Sequence, residues 1–158
     1  MPITDLQGST SGNDYTIGIV VARWNSFVTD KLLQGATDVL KNKGFSDDQI
    51  IVAHCPGAYE IPLTARKLLP KVDGVVTLGA VIRGETPHFD YVCDAVNRGV
   101  SELNLHFEKP VVFGVLTTDN VEQAMKRAGS EDDSGNKGAE AALALLEMLS
   151  LIQKIDKI

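Results

Sequence analysis

The sequence predicts a three-layer α/β/α sandwich built on a four-stranded parallel sheet. Four short apolar runs, all rich in Val and Ile, mark the predicted strands at residues 15–22, 49–54, 74–82 and 110–117. Helical patterns separate these runs, and strict alternation of strand and helix is typical of a parallel sheet covered on both faces. Continuous β-branched runs also indicate strands that are buried on both faces.

Five helices are predicted between and after these strands. Each has apolar residues at helical spacing, and the spans are 27–40, 58–69, 88–107, 120–128 and 136–158. Gly44 is well placed to end the first helix, because glycine readily adopts the left-handed conformation that follows many helices. Pro70 should stop the second helix, since proline cannot continue one.

The first 14 residues are expected to form an arm ahead of a single domain at residues 15–158. This arm is polar and includes Gly8 and Gly12, so we expect either a flexible arm or an added edge strand. It has no basic region followed by an apolar core, which argues against a signal peptide. No apolar run approaches the ~20 residues that span a bilayer.

Composition and charge exclude several classes of partner. The formal net charge of −6 argues against binding to nucleic acid, which needs many Lys and Arg to neutralise phosphates. It argues equally against binding to an anionic membrane surface. Cys55 and Cys93 both lie in or beside apolar segments, so we expect no disulfide framework and a reducing, cytoplasmic location.

Polar and titratable residues follow all four predicted strands. The loops concerned are 22–25, 55–60, 83–90 and 117–120. In open α/β sheets, ligands bind beyond the carboxyl ends of the strands. The loop at 83–90 is the most informative of the four, because it combines a flexible glycine, a hydroxyl, two carboxylates and a histidine.

Two aromatic residues in the first two loops are candidates for ligand binding. Trp24, the only tryptophan, either caps the core or offers a flat face to a flat ligand. Its neighbour Asn25 can hydrogen-bond ring carbonyls and therefore favours a ligand. Tyr59 and Glu60 open the second helix, where Glu60 could simply favour the helix dipole. Alternatively, free amides at this helix start face the same edge of the sheet.

The third loop combines a candidate anion site with a histidine. The amides of Glu85 and Thr86 precede a helix, where anions readily bind, although Thr86 could serve only as a helix N-cap. His88 could be structural, but an imidazole beside an anion site is well suited to proton transfer near neutral pH. Arg127 could merely relieve a helix dipole, and Phe113 is predicted to lie in the core.

Several other site chemistries lack their motifs. No G-x-G-x-x-G follows the first strand, and there is no G-x-x-x-x-G-K-[ST] phosphate loop. His54 and Cys55 are adjacent but have no second pair at metal-ligand spacing. A G-x-S-x-G nucleophile elbow is also absent from the sequence.

The motifs of the chain resemble those of lumazine synthase. The resemblance runs from the turn at Trp24 to the last helix, and its segments are 22–25, 56–62, 78–92, 113–118, 127–129 and 135–138. It implies a flavodoxin-like fold and condensation of 5-amino-6-(D-ribitylamino)uracil with 3,4-dihydroxy-2-butanone 4-phosphate. The products would be 6,7-dimethyl-8-ribityllumazine, phosphate and water, with no metal or organic cofactor. A homopentamer and association with a riboflavin synthase are also implied.

The resemblance assigns a role to each matching position. It implies that Trp24 stacks on the pyrimidine and that His88 transfers protons. The ring and the ribityl chain would be contacted by Ala58, Tyr59, Glu60, Ala80, Val81 and Ile82. The phosphate would be held by the Glu85 and Thr86 backbone and by Arg127, with Lys137 as a further substrate contact. Phe113 and Arg127 would come from the neighbouring subunit, so that sites form at interfaces.

The loop after Arg127 departs from the family pattern. Residues 130–134 make it two residues longer and acidic compared with members that build sixty-subunit shells, so we expect a free pentamer. Two rival interpretations remain open. One is an archaeal-type riboflavin synthase, which dismutates two lumazines, and the other is a non-catalytic flavin-binding or shell-forming protein.

Overall fold

A computed structural model describes residues 2–129 and 135–158 of the chain. Four parallel strands form one sheet in the order β2-β1-β3-β4. They are β1 Ile17–Ala22, β2 Ile50–Cys55, β3 Gly74–Ile82 and β4 Val111–Thr118. The order reverses between β1 and β3, and such a switch point opens a crevice at the carboxyl ends of the two strands. The predicted parallel sheet is confirmed.

Helices cover both faces of this sheet, as predicted. They are α1 Ser26–Asn42, α2 Ile61–Leu68, α3 His88–Phe107, α4 Val121–Arg127 and α5 Lys137–Asp156. One core cluster joins α1 and α5 to the sheet, and a second joins α2 and α3 to it. Within the described ranges, none of the helices is long and apolar enough to cross a membrane.

The second predicted helix proves to be composite. Short 3₁₀ turns at Ala58–Glu60 and Leu69–Lys71 flank α2, so the expectation of one continuous helix over 58–69 is wrong at its ends. Pro70 lies in the closing 3₁₀ turn rather than beyond the helix. Its missing N–H cannot join an α-helical ladder, which accounts for the change of geometry.

The prediction of strands buried on both faces holds only at the centre of the sheet. Every residue of β1 is buried, and so are all but the last of β3. Strands β2 and β4 lie at the edges, where Ile51 and Phe113 are 38% and 39% exposed. The expectation that Phe113 lies in the core is therefore wrong, because the outermost strand has a neighbour on one side only.

The end of α1 follows the predicted glycine mechanism. Gly44 adopts φ 96°, and its amide donates to the carbonyl of Lys41 at 3.0 Å. The amide of Phe45 donates to the carbonyl of Leu40 at 3.0 Å, which completes a Schellman motif. Phe45 is buried, so it turns the chain back onto the core.

The N-terminal arm lies along α5. Residues 2–16 contain neither helix nor strand, so no edge strand from the arm forms within the chain. The amide of Ser9 donates to Oγ of Ser150 at 3.0 Å, and Nζ of Lys154 donates to the carbonyl of Gln7 at 2.7 Å. These contacts fasten the arm to the C-terminal half of α5.

Candidate active site

Backbone hydrogen bonds continue the sheet into the loops that form the site. The amide of Arg23 donates to the carbonyl of Cys55 at 2.8 Å, and that of Trp24 donates to the carbonyl of Pro56 at 3.0 Å. Beyond β3, the amide of Arg83 donates to the carbonyl of Thr118 at 2.8 Å. Each loop therefore leaves the sheet in a fixed register, which sets the starting direction of its side chains.

Three of these loops enclose one cavity at the switch point between β1 and β3. Its volume is about 200 Å³. The lining residues are Trp24, Asn25, Ala58, Tyr59, Ala80, Val81, Ile82, Gly84, Thr86, His88, Phe89 and Val92. Eight of the thirteen predicted site residues are thus brought together, while the loop after β4 does not line the cavity.

The indole of Trp24 forms an open aromatic wall of the cavity. The side chain is 64% exposed, so it does not cap the core. A Cβ built on Gly57 would lie 2.5 Å from Cε3 of Trp24, which shows that the ring rests directly on the glycine. Tyr59 is 60% exposed in the adjoining loop. Two accessible aromatic rings thus flank the entrance.

Asn25 shapes the first loop. It adopts the left-handed conformation with φ 65°, which asparagine tolerates better than most residues. Its side-chain Nδ2 donates to the backbone carbonyl of Ala80 at 2.8 Å. Its backbone carbonyl accepts from the amides of Val28 and Thr29. One N–H of the side-chain amide therefore ties the first loop to β3, and Asn25 also lines the cavity.

The carboxylate of Glu60 closes the second loop upon itself. Its Oε1 accepts from the amide of Gly57 at 3.0 Å, as in a capping box. Glu60 is absent from the cavity lining, in contrast to its neighbours Ala58 and Tyr59. Holding Gly57 in place also holds the surface on which Trp24 rests.

The third loop presents backbone amides beside the cavity. The amide of His88 lies 3.4 Å from Oγ1 of Thr86, and Pro87 is the N-cap residue of α3. No described residue accepts a hydrogen bond from the amides of Gly84, Glu85 or Thr86. Glu85 is exposed and does not line the cavity, in contrast to its neighbours Gly84 and Thr86.

His88 is the first residue of α3 and lines the cavity from there. Its side chain is exposed to solvent. Phe89 and Val92 line the same cavity, and neither is among the predicted site residues. Val92 is four residues beyond His88 and so lies on the same helical face, which is the signal that could have identified it.

Arg127, Lys137 and Phe113 form a second surface, away from the cavity. They line a groove of about 380 Å³ between β4, α4 and α5. Nη1 of Arg127 donates to the backbone carbonyl of Gln123 at 3.1 Å. Nζ of Lys137 lies 3.2 Å from Oε1 of Glu140. Within one chain, the described structure does not bring these three residues to His88.

The two cysteines are unsuited to nucleophilic chemistry. Both thiols are free, and burial raises the pKa of Cys93, with a further increase from the nearby carboxylate of Asp90. Burial is also the largest reason why the pKa of Cys55 is raised. A thiol with a raised pKa stays protonated near neutral pH, so it is a poor nucleophile.

A comparison with protein families adds a finding of a different kind. A family model described as 6,7-dimethyl-8-ribityllumazine synthase matches residues 14–153. The match includes the whole sheet, the first four helices and all but the last three residues of α5. Both the cavity and the second surface fall inside it.

Proposed function

Because the chain belongs to the 6,7-dimethyl-8-ribityllumazine synthase family and is therefore an enzyme, a transferase, we propose the following reaction. The enzyme condenses 5-amino-6-(D-ribitylamino)uracil with 3,4-dihydroxy-2-butanone 4-phosphate. It releases phosphate and water, needs no metal or organic cofactor, and performs the penultimate step of riboflavin biosynthesis. The two free thiols are in keeping with a cytoplasmic location.

The cavity supports binding of the pyrimidine substrate. The exposed face of Trp24 suits stacking of a flat ring, which contributes roughly 0.5–1.5 kcal/mol beyond area burial. Ala80, Val81 and Ile82 supply an apolar wall along β3. The ribityl chain extends past Ala58 and Tyr59, while Glu60 acts on this subsite through the backbone that it caps.

The phosphate substrate requires cations that the cavity lacks. In our proposal the backbone amides of Glu85 and Thr86 donate hydrogen bonds to the phosphate, as amides at helix starts commonly do. Arg127 adds a bidentate guanidinium, with Lys137 beside it. Arg127, Lys137 and Phe113 lie on a different surface of the chain, so a second copy has to bring them to the cavity. A homopentamer with sites at its subunit interfaces satisfies this requirement.

Each proposed residue matches a step of the chemistry. The aromatic amine and the ketone form an imine with loss of water, and elimination then expels phosphate. The enol that remains tautomerises to a ketone, and attack of the ribitylamino nitrogen on this carbonyl closes the second ring with loss of a second water. His88 moves protons during these steps, while Arg127 stabilises the negative charge on the departing phosphate. Holding two substrates in register contributes a further large share of the rate.

The single observation that carries the proposal is the cavity in which Trp24, Thr86 and His88 meet. The test is a turnover assay with the purified protein and both substrates, in which lumazine formation is followed by absorbance. We expect lumazine and phosphate to form in equal amounts. A parallel assay with lumazine alone distinguishes the archaeal-type riboflavin synthase, which would yield riboflavin. Absence of any product in both assays would favour a non-catalytic flavin-binding protein.

A further inference from the structure

We propose that Arg83 is a positioning residue that holds His88 and Phe89 in place for catalysis. This inference deepens the proposed function and rests on it. Arg83 does not line the cavity and touches no reacting atom in our scheme. It acts on what we call the 83–90 turn, which consists of residues 83–90 and carries the cavity residues Thr86 and His88.

The guanidinium of Arg83 joins three separate parts of the fold. Its Nε donates to Oδ1 of Asp119 at 2.9 Å, in the loop after β4. An Nη1 lies 3.7 Å from Oδ1 of Asp90, in the first turn of α3. Its Cζ lies 4.4 Å from the ring centroid of Phe89. Arg83 thus links the end of β3, the loop after β4 and the start of α3.

The 83–90 turn has few other restraints. A Cβ built on Gly84 would meet no atom within 4 Å, so the start of the turn is not packed. No side chain caps α3 through its N-cap residue Pro87, and the contact between Thr86 and the amide of His88 is long, at 3.4 Å. Phe89 packs against the second core cluster, and the contacts of Arg83 add the polar side-chain restraint on the direction in which His88 leaves the turn.

An arginine suits this task better than a lysine. The planar guanidinium can hydrogen-bond a carboxylate with its edge while its face stacks on an aromatic ring. The side chains of Arg83 and Asp119 are 49% and 65% exposed, and exposed ion pairs contribute little to stability. We therefore place the effect of Arg83 on geometry rather than on the free energy of unfolding.

The structure offers a matched control for this inference on α3 itself. Nη2 of Arg98 lies 3.0 Å from Oδ2 of Asp94, and these side chains are 69% and 66% exposed. Arg83→Gln and Arg98→Gln thus remove the same charge and the same type of ion pair. Arg83 stacks on Phe89, which lines the cavity, whereas neither Arg98 nor Asp94 lines it.

Steady-state kinetics should separate the two variants. We expect Arg83→Gln to lower kcat about tenfold or more, because small misplacements of reacting groups are costly. The KM for the pyrimidine substrate should change less than about twofold, since Trp24 keeps its place on Gly57. Arg83→Lys should recover only part of the lost kcat, and Arg98→Gln should behave as the unmodified enzyme. Equal kcat for Arg83→Gln and Arg98→Gln would overturn the inference.

A second readout does not depend on turnover. The chain has three histidines, so imidazole signals in heteronuclear NMR spectra can be assigned by single substitutions. Arg83→Gln should move the His88 signals and leave those of His54 and His106 in place, while Arg98→Gln should move none of them. If the unmodified protein forms no lumazine but Arg83→Gln still moves the His88 signals, the proposed reaction fails and the positioning role stands. Unmoved His88 signals in Arg83→Gln would contradict the role itself.

Discussion

At the scale of single residues, Gly57 matters because its missing side chain makes room for Trp24. Gly57 has φ −145° and ψ −179°, an extended conformation that any residue adopts. A larger residue would therefore act through contact with the indole and not through backbone strain. Nothing in the sequence pattern linked these two positions, since they belong to loops after different strands.

The contact predicts the effect of Gly57→Ala. Its new Cβ would lie 2.5 Å from the indole, so the ring must move and lose part of its stacking. We expect the KM for the pyrimidine substrate to rise about 2- to 10-fold, and the fluorescence of the single tryptophan to shift. Gly12→Ala is the control, because its Cβ meets only Tyr15 at an ordinary 3.5 Å. An unchanged KM and emission spectrum for Gly57→Ala would refute the contact.

The proposed roles of Arg127 in phosphate binding and of His88 in proton transfer lead to another prediction. Arg127→Ala should raise the KM for the butanone phosphate about tenfold or more, because a charge-assisted bidentate contact is lost. His88→Ala should instead lower kcat, by about 100-fold, with a smaller change in that KM. Arg127→Lys should rescue binding poorly, since lysine lacks the planar fork.

Kinetics with the butanone phosphate as the varied substrate test this assignment. Equal Michaelis constants for that substrate in Arg127→Ala and His88→Ala would show that the roles are assigned wrongly. The KM for the pyrimidine substrate is the internal control. It should stay near its original value in Arg127→Ala, because Arg127 lies on the second surface and not in the pyrimidine cavity.

At the scale of elements, two helix N-caps look alike in sequence but differ in structure. Oδ1 of Asn120 accepts from the amide of Gln123 at 2.9 Å, and Oδ1 of Asn136 accepts from the amide of Ala139 at 3.0 Å. Only Asn136 also donates, with its Nδ2 2.9 Å from the carbonyl of Lys31 and 3.0 Å from that of Ala128. It therefore fastens α5 to α1 and α4.

The same substitution should thus change stability by different amounts at the two caps. Asn136→Asp keeps the capping acceptor but turns a carboxylate towards two carbonyls, and we expect it to destabilise the fold by about 2 kcal/mol. Asn120→Asp keeps the oxygen that caps α4, and it should change the free energy of unfolding by about 0.5 kcal/mol or less. Denaturant unfolding of both variants measures the difference, and equal midpoints would contradict it.

Element types were predictable because the apolar spacing differs between strands and helices. The span of α3 matches the prediction at both ends, and Gly44 ended α1 by the expected mechanism. Exposure was harder to predict, since it depends on strand order. Nothing within residues 110–117 shows that β4 is an edge strand, so the apolar pattern predicts a core position for Phe113.

The site was predictable where its residues follow strand ends directly. Trp24 and His88 line the cavity because parallel strands bring their carboxyl ends to one edge. The partners of Arg83 were not predictable, as Asp119 lies 36 residues further along the chain. Likewise, nothing local showed that the side-chain amide of Asn25 donates to the carbonyl of Ala80.

At the scale of the whole molecule, the acidic loop at residues 130–134 bears on assembly size. The loop lies outside the described residues, and its sequence holds three carboxylates. We expect its length and charge to obstruct contacts between pentamers, so the protein should remain a free pentamer. Light scattering should give the mass of five 17.0 kDa chains, whereas a mass near sixty chains would refute this. Repeating the measurement at high salt, where repulsion is screened, separates the effect of charge from that of bulk.

The central claim is that each active site takes its cavity from one copy and its cations from another. The division of the site residues between two surfaces of one chain supports this claim. It can be tested by complementation, in which His88→Ala and Arg127→Ala chains assemble together. A matched control combines His88→Ala with Trp24→Ala, because both positions belong to the same cavity and no mixed site can regain both.

The most direct measurement is the activity of these two mixed assemblies at equal chain ratios. If sites are shared, about a quarter of those in a randomly mixed ring pair an intact His88 with an intact Arg127. The account predicts that the first mixture regains about this fraction of the unmodified activity, and that the control mixture regains none. If the first mixture is only as active as the mean of the separate His88→Ala and Arg127→Ala proteins, the account is contradicted. Each complete site would then lie within one chain.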